Sequence, residues 1–166
     1  MTVITAPTLD FDKESDYPFI FLAGGISYCP DWQQYIIDKL NASKINATIL
    51  NPRRKDFNIA DRNISIQQIE WEYTMLQEHS EIILFWFPEE TLCPIALFEL
   101  GKELGLRNKN SSKKLFIGCH PNYERRFDIE QQTRLVVKNT YGFELEIVYS
   151  LDELAAQVIE SLEWTK

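Results

Sequence analysis

The sequence predicts a single α/β domain in which a parallel sheet is covered by helices on both faces. Ile82 to Phe87 is an unbroken apolar run without polar alternation, which is typical of a strand buried on both sides. Short strands and amphipathic helices alternate five times along the chain, with short connections between them. The length of 166 residues suits one domain, and no repeat or long linker divides it. We therefore expect a three-layer sandwich.

The start of the chain is polar and acidic. Residues 1–18 are expected to form a loose arm or an edge element, and residues 19–166 the α/β domain. Order begins with the apolar run Phe19 to Ala23, which ends in Gly24-Gly25 and predicts a buried strand. Glycines at its exit would let the backbone approach a ligand closely.

The first two helices are predicted from apolar periodicity. The first opens at Pro30-Asp31, and the second runs from Asp61 or Asn63 to about His79. Between them, a strand from Ala47 to Leu50 leads into a basic exit loop. The second helix carries a stripe expected to face the core, which places Glu72 on the flank of that stripe. The residues of the stripe are Ile66, Ile69, Tyr73 and Leu76.

The strand Ile82 to Phe87 is followed by a short acidic loop and a helix that begins at Pro94. Two further strands, Leu115 to Gly118 and Leu145 to Val148, complete a predicted five-stranded sheet. The predicted arrangement is the flavodoxin-like order 2-1-3-4-5. That order would set Gly24-Gly25 beside the loop Glu89 to Pro94, at the sheet edge where ligands bind.

Charge and cysteine content exclude several classes of function. A net charge of -8 argues against binding to polymeric nucleic acid or to an anionic membrane. Three cysteines without a C-x-x-C pair, and only two histidines, predict no metal site and a reducing cytoplasm. No secretory signal and no apolar run of about 20 residues is found. Phosphate-loop, dinucleotide and α/β-hydrolase motifs are also missing.

Glu99 and Glu72 are the candidate catalytic residues. A helical projection puts Glu99 opposite a leucine stripe, which favours a solvated side chain. The preceding turn, Ile95 to Phe98, is apolar all round, however, and would enclose the carboxylate, raise its pKa and make it a strong nucleophile when ionised. Glu72 at the edge of a core stripe either reaches water or faces a site.

Basic residues in the exit loops could capture a phosphate or carboxylate, or could pair with the surplus acids. The arginines at issue are Arg53, Arg54, Arg125 and Arg126. Cys93 precedes a helix N-terminus, which would lower the pKa of its thiol, but no histidine stands at a useful spacing. A thiol nucleophile is therefore a minor alternative.

Several motifs together resemble the nucleoside 2-deoxyribosyltransferase-like family, whose members include deoxynucleoside 5'-monophosphate N-glycosidases. They are FLAGGIS on the first strand, DWQ after its loop, NPRR after the second strand, QIEWE on the second helix, FWFPEETLCPIALFELG, and HPNYERRFDIEQQ after the fourth strand. The resemblance covers residues 19 to about 132.

The resemblance implies a mechanism and a site. Glu99 maps to the glutamate that attacks C1' of deoxyribose and forms a covalent glycosyl-enzyme, with a second carboxyl group, Glu72, about 5 Å away as the assisting acid. It also implies a nucleoside or nucleotide substrate, no metal or organic cofactor, and a homodimer or higher homo-oligomer. Gly24, Gly25 and the loop Glu89, Glu90 and Thr91 would form the sugar and base pocket, and Arg53, Arg54 and Arg125 are candidates for a phosphate.

The chain departs from the family's pattern at three positions. Phe21 stands where the transferases commonly have a tyrosine, and Cys93 stands where an aspartate or serine is usual, with Glu89 and Glu90 as substitutes. Gly25 occupies the place of the loop serine of monophosphate hydrolases, with Ser27 nearby. These departures leave a second hypothesis open, that of a catalytically silent domain that binds or senses a nucleotide.

Overall fold

The computed structural model describes residues 1–9, 11, 17–55, 57–58, 60–107 and 112–163. Its strands are β1 Thr2–Thr5, β2 Phe19–Gly24, β3 Thr48–Asn51, β4 Ile82–Phe87, β5 Lys114–Cys119 and β6 Ile147–Val148. Its helices are α1 Trp32–Ala42, α2 Arg62–Thr74, a π-helical turn Met75–His79, α3 Pro94–Leu106, α4 Arg126–Asn139 and α5 Leu151–Glu163. None of these helices is both long and apolar enough to cross a membrane.

Within the described residues, the sheet is parallel and has six strands in the order β1-β3-β2-β4-β5-β6. The prediction of five strands in the order 2-1-3-4-5 is therefore wrong, because β1 adds an edge strand that pairs Thr2 with Thr48. This strand was not predicted, because a four-residue edge strand that buries Ile4 and exposes Val3 is too short for a clear period. Residues 10 and 12–16 of the predicted arm lie outside the described residues.

Helices cover both faces of the sheet, as the unbroken apolar strands require. Side chains of β4 alternate between two separate cores. Ile83, Phe85 and Phe87 lie on what we call the front face and pack with α2, α3 and α4. Ile82, Leu84 and Trp86 lie on the rear face and pack with α1 and α5.

The second helix is rotated relative to the predicted stripe. Ile66, Ile69 and Tyr73 are exposed, and Trp71 and Met75 are buried in the front core instead. The α-helix ends at Thr74 and continues as a π-helical turn, in which the Ser80 N–H donates to the Met75 carbonyl at 2.9 Å. Because this turn breaks the 3.6-residue period, a stripe drawn through Leu76 assigned the wrong face to the helix.

The exit loops of β2 and β4 lie side by side. The two strands are neighbours, with Gly24 opposite Trp86. Gly24 has a φ of +152°, and a Cβ there would lie 2.2 Å from the Trp86 carbonyl oxygen. A Cβ on Gly25 would lie 2.9 Å from Cys93 Sγ. Both positions need glycine, and the close approach brings the two loops together at the carboxyl edge of the sheet.

Candidate active site

A cavity of about 520 Å³ opens on the front face, between α2 and α3 and beyond the ends of β2 and β4. Its volume lies within the range of about 300–1,000 Å³ that is usual for small-molecule sites. The lining is mostly apolar, with a few polar groups. Residues of the lining include Phe21, Gly24, Gly25, Ile26, Ser27, Arg54, Ser65, Gln68, Ile69, Glu72, Tyr73, Thr91, Cys93, Ile95, Phe98 and Glu99.

Glu99 lies in this cavity on the second turn of α3. Burial raises the pKa of its carboxyl to about 8, and the negative charges of Glu72 and Glu103 add to the shift. The apolar turn that precedes Glu99 thus reduces the contact of the carboxyl with water, although the side chains of Ile95 and Phe98 are themselves exposed. A carboxylate in such surroundings is poorly solvated when ionised and is therefore a strong nucleophile.

Glu72 faces the same cavity from α2. Burial raises the pKa of its carboxyl as well, and a hydrogen bond from Gln68 partly opposes the rise. Gln68 Nε2 donates to Glu72 Oε1 at 2.9 Å and to the Pro52 carbonyl at 2.7 Å, so it fixes the acid relative to the loop after β3. Sequence reasoning missed Gln68, although its spacing of four residues from Glu72 was a signal for a helical side-chain pair.

A third acid, Glu103, lies one helical turn beyond Glu99 and is 0% exposed. Its carboxylate is 3.4 Å from Arg107 Nη2 and accepts a hydrogen bond from Gln77 Nε2 at 3.1 Å. The ion pair explains how a charged residue is accommodated in the core, and its negative charge reaches Glu99.

Cys93 forms the wall between the acidic loop and α3. Its φ of 50° is left-handed, and its Sγ is 3.2 Å from the Thr91 carbonyl. Burial raises the pKa of the thiol to about 12, which is opposite to the lowering expected for a helix N-terminus. The thiol therefore stays protonated at neutral pH, and a cysteine nucleophile loses its support.

The loop before α3 contributes Thr91 and Cys93 to the cavity, and Glu89 and Glu90 do not line it. Glu89 is exposed and accepts a hydrogen bond from Asn122 Nδ2 at 2.9 Å. The buried Tyr123 donates its hydroxyl to the Leu92 carbonyl at 2.6 Å. These bonds anchor the loop to the segment after β5.

The predicted basic cluster is divided by the structure. Arg54 lines the cavity and donates to Gln67 Oε1 at 3.2 Å. Arg53 does not line it and instead contacts the loop after β2, and Arg125 pairs with Asp128 at 3.1 Å on α4. The three arginines therefore do not form one cluster that could bind a phosphate.

The side chain of Phe21 contributes to the wall of the cavity and packs near Trp71, with 6.2 Å between their ring centroids. Phe21 therefore contributes no hydroxyl group to the wall. At the mouth, four exposed residues form what we call the apolar rim, consisting of Ile69, Tyr73, Ile95 and Phe98.

No group of three or more potential metal ligands occurs within the described ranges. A second cavity, of about 360 Å³, lies beside β5 and α5. Glu144, Glu146 and Glu160 contribute to its lining. It opens near the start of β5, away from the strand ends where ligands of such sheets bind. The cavity with Glu72 and Glu99 is therefore the candidate active site.

Comparison with known proteins identifies the family of the chain. The model of a family described as nucleoside 2-deoxyribosyltransferase like matches residues 17–123. No curated protein matches the chain. The matched segment runs from the residues before β2 through the whole of α3 to Tyr123, and so includes every side chain that lines the cavity. The chain belongs to the nucleoside 2-deoxyribosyltransferase-like family.

Proposed function

We propose that the protein cleaves or transfers the N-glycosidic bond of a nucleoside or nucleotide, with deoxyribose as the expected sugar. The observation that carries the proposal is the pair of carboxyl groups, Glu99 and Glu72, facing one cavity from two helices. Burial raises the pKa of both carboxyl groups, so the two groups can share a single proton. An acid and a nucleophile are what a retaining glycosidic displacement needs.

In the first half of the proposed reaction, the ionised Glu99 carboxylate attacks C1' and forms a glycosyl ester. The C1'–N bond breaks, and its electron pair leaves with the base, which takes the proton from the Glu72 carboxyl. In the second half, water or an acceptor base attacks C1' and transfers its proton to Glu72. The ester bond then breaks and returns the electron pair to Glu99.

Two features of the cavity support a nucleoside-sized substrate. The apolar rim and Phe21 offer flat apolar surfaces on which a base can pack. Arg54 and Ser65 lie in the lining and are suited to a phosphate or a hydroxyl group. We propose Arg54, rather than Arg53 or Arg125, as the residue that would meet a 5'-phosphate.

Release of free base from a panel of nucleosides and monophosphates tests the proposal. The unaltered protein should release base, and Glu99→Gln and Glu99→Ala should lower turnover at least about a thousand-fold, since the nucleophile is lost. The control is Glu70→Gln, which changes an exposed glutamate on α2 outside the cavity lining. Undiminished base release by both Glu99 variants would contradict the mechanism.

A second candidate is a domain that binds or senses a nucleotide without turnover. The observation that favours it is Phe21, which leaves the wall beside the nucleophile without a hydroxyl to orient it. The same panel separates the two functions. Saturable binding of a nucleotide by the unaltered protein, with no base released at any pH, would support the silent domain over the enzyme.

We further propose that the protein acts in the cytoplasm as a homodimer or a higher homo-oligomer. Cys29, Cys93 and Cys119 are free thiols, as a reducing compartment favours. Exposed apolar side chains concentrated at one cavity mouth are characteristic of an interface rather than of a solvated surface. The apolar rim is therefore the proposed contact between copies.

A further inference from the structure

The carbonyl group of Gly25 accepts hydrogen bonds from an unusual number of donors. Trp32 Nε1 donates to its oxygen at 2.7 Å, Gln33 Nε2 at 3.3 Å and Arg53 Nη2 at 3.5 Å. Trp32 and Gln33 are buried on α1, so two of these bonds are shielded from water. Arg53 is itself fixed by Gln33 Oε1 at 2.8 Å. We call these three side chains the Gly25 clamp.

The clamp fixes the direction of the peptide that follows Gly25. Trp32 packs in the core behind the sheet, so the Gly25 carbonyl points toward the rear face. In a trans peptide the N–H of the next residue points away from the carbonyl, and the Gly25-Ile26 bond is trans. The Ile26 N–H is therefore directed to the front face, where Ile26 and Ser27 line the cavity with Glu99.

The Ile26 N–H has no hydrogen-bond partner among the residues that the structure describes. An oriented amide donor at the wall of a cavity is a ready contact for a ligand oxygen. We propose that the Ile26 N–H binds a sugar or phosphate oxygen of the substrate, and that Trp32, Gln33 and Arg53 are positioning residues that hold this donor in place. The inference rests on the proposed function and adds a binding group to it.

The proposal gives Arg53 a role different from that of a phosphate ligand. Its guanidinium also donates to the Pro30 carbonyl at 3.0 Å and lies 3.4 Å from Asp31. The charge is thus directed at the loop that carries the amide. Cys93 and Thr91 leave no room for a Cβ on Gly25. The Gly25 clamp therefore contacts this peptide on one side, and Cys93 and Thr91 contact it on the other.

Nuclear magnetic resonance of the Glu99→Gln variant, which cannot turn over, tests the amide directly. With isoleucine labelled with ¹⁵N, the Ile26 signal is identified by its loss in Ile26→Val, which keeps the amide. Saturating 2'-deoxynucleoside should move the Ile26 amide proton downfield. A 5'-deoxy analogue and a deoxynucleoside monophosphate then distinguish a 5'-hydroxyl from a phosphate as the acceptor, and a shift that survives with all three ligands assigns another sugar oxygen.

Two outcomes of this experiment separate the inference from the proposed function. If nucleosides and monophosphates shift other signals of the cavity while the Ile26 amide stays in place with every ligand, the inference is wrong and the proposed function stands. If no nucleoside or monophosphate shifts any signal, both are overturned.

The clamp is tested by Trp32→Phe, which removes the indole donor and keeps an aromatic ring. We expect kcat/KM to fall about tenfold, the loss of roughly one well-placed hydrogen bond, with the substrate that offers the acceptor oxygen. With the analogue that lacks this oxygen, the fall should disappear, which a general loss of stability would not produce. An equal fall with both substrates would overturn the positioning role.

Trp71→Phe is the matched control, because Trp71 is also buried and donates its indole N–H to a backbone carbonyl, that of Thr8, at 2.8 Å. It should show no dependence on the acceptor oxygen. If Trp32→Phe does not fold, Gln33→Glu serves instead, since it removes the donor to Gly25 and keeps an acceptor for Arg53. The same dependence on the acceptor oxygen is expected, and its absence in Gln33→Glu counts against the proposal.

Discussion

The buried carboxyl of Glu99 ties the expected activity to pH. The productive form carries a single proton on the pair, with Glu99 ionised and Glu72 protonated, so kcat/KM should follow a bell-shaped profile. Because burial raises the pKa of both groups above the ordinary 4.5, both limbs should lie above that value. Initial rates of base release across pH 4 to 10 measure it.

Replacement of Glu72 tests which group causes the alkaline limb of the pH profile. Glu72→Gln removes the acid and its negative charge, so activity should fall and the alkaline limb should vanish. The remaining limb, which is the ionisation of Glu99, should persist, because burial by itself raises the pKa of that carboxyl. An alkaline limb unchanged in the variant would show that the group which titrates there is not Glu72.

The same carboxyl should make folding stability depend on pH. The pKa of Glu99 is about 8 in the folded protein and about 4.5 when exposed, so the folded state holds the proton more tightly. The contribution of Glu99 to the free energy of unfolding is then greatest below pH 4.5, and it is lost as the pH rises to about 8. Glu99→Gln avoids this loss, and its advantage in urea unfolding should grow with pH to at most about 5 kcal/mol.

Glu70→Gln, an exposed change on α2, is the control for this measurement. A gap between Glu99→Gln and the unaltered protein that stays constant from pH 4 to 9 would mean that Glu99 is well hydrated. At the scale of the residue, the apolar turn before Glu99 predicted that the pKa of its carboxyl is raised, and the resemblance suggested its role as nucleophile. Sequence reasoning missed the pairing of Gln68 with Glu72, and it could not find the Gly25 clamp, because hydrogen-bond directions depend on how neighbouring helices are turned.

Helix α3 carries both the candidate nucleophile and a buried ion pair, and the two are coupled through Glu103. Glu103→Gln leaves the Arg107 guanidinium without its carboxylate, so we expect the unfolding free energy to fall by about 3–5 kcal/mol. The loss of a negative charge should also lower the pKa of Glu99 and move the pH profile of activity with it.

The double change Glu103→Gln with Arg107→Met separates these effects. Removing both charges should recover most of the lost stability, whereas the pH profile should stay displaced. Equal stability of the single and double variants would contradict a buried ion pair. Denaturant unfolding and base release on the same samples provide both readouts.

The elements differ in how far the sequence could predict them. Strand β4 and helix α3 were located from an apolar run and from Pro94, because each of these signals is local. The face of α2 was predicted wrongly, since the π-helical turn at Met75–His79 changes the phase of the helix. Such a turn has no clear sequence signature and depends on packing against the front core.

For the whole molecule, the apolar rim bears on the proposed assembly. Phe98 is 73% exposed and Ile95 64% exposed beside the cavity mouth. Phe98→Glu should therefore shift the protein toward monomers in light scattering coupled to size exclusion, because a charge at an apolar contact is costly to bury. Phe127→Glu, at an equally exposed phenylalanine on α4, should leave the mass unchanged.

A monomeric mass for the unaltered protein would contradict the proposed assembly.

At this scale the class of fold followed from alternating elements, and the meeting of the β2 and β4 loops followed from the parallel sheet. The arginines were harder to place, since an exit loop fixes where a residue starts but not where its side chain ends. Arg53 turned toward the rear of the sheet, and Arg54 toward the cavity.

The edge strand β1 has a consequence for how the protein can be handled. Just beyond it, the Thr8 carbonyl accepts the indole N–H of Trp71, one residue before Glu72 on the same helix. This hydrogen bond thus connects the first nine residues to α2, the helix that carries Glu72. Shortening the chain from its beginning, or fusing a bulky tag there, would weaken the chemistry of a cavity that those residues never touch.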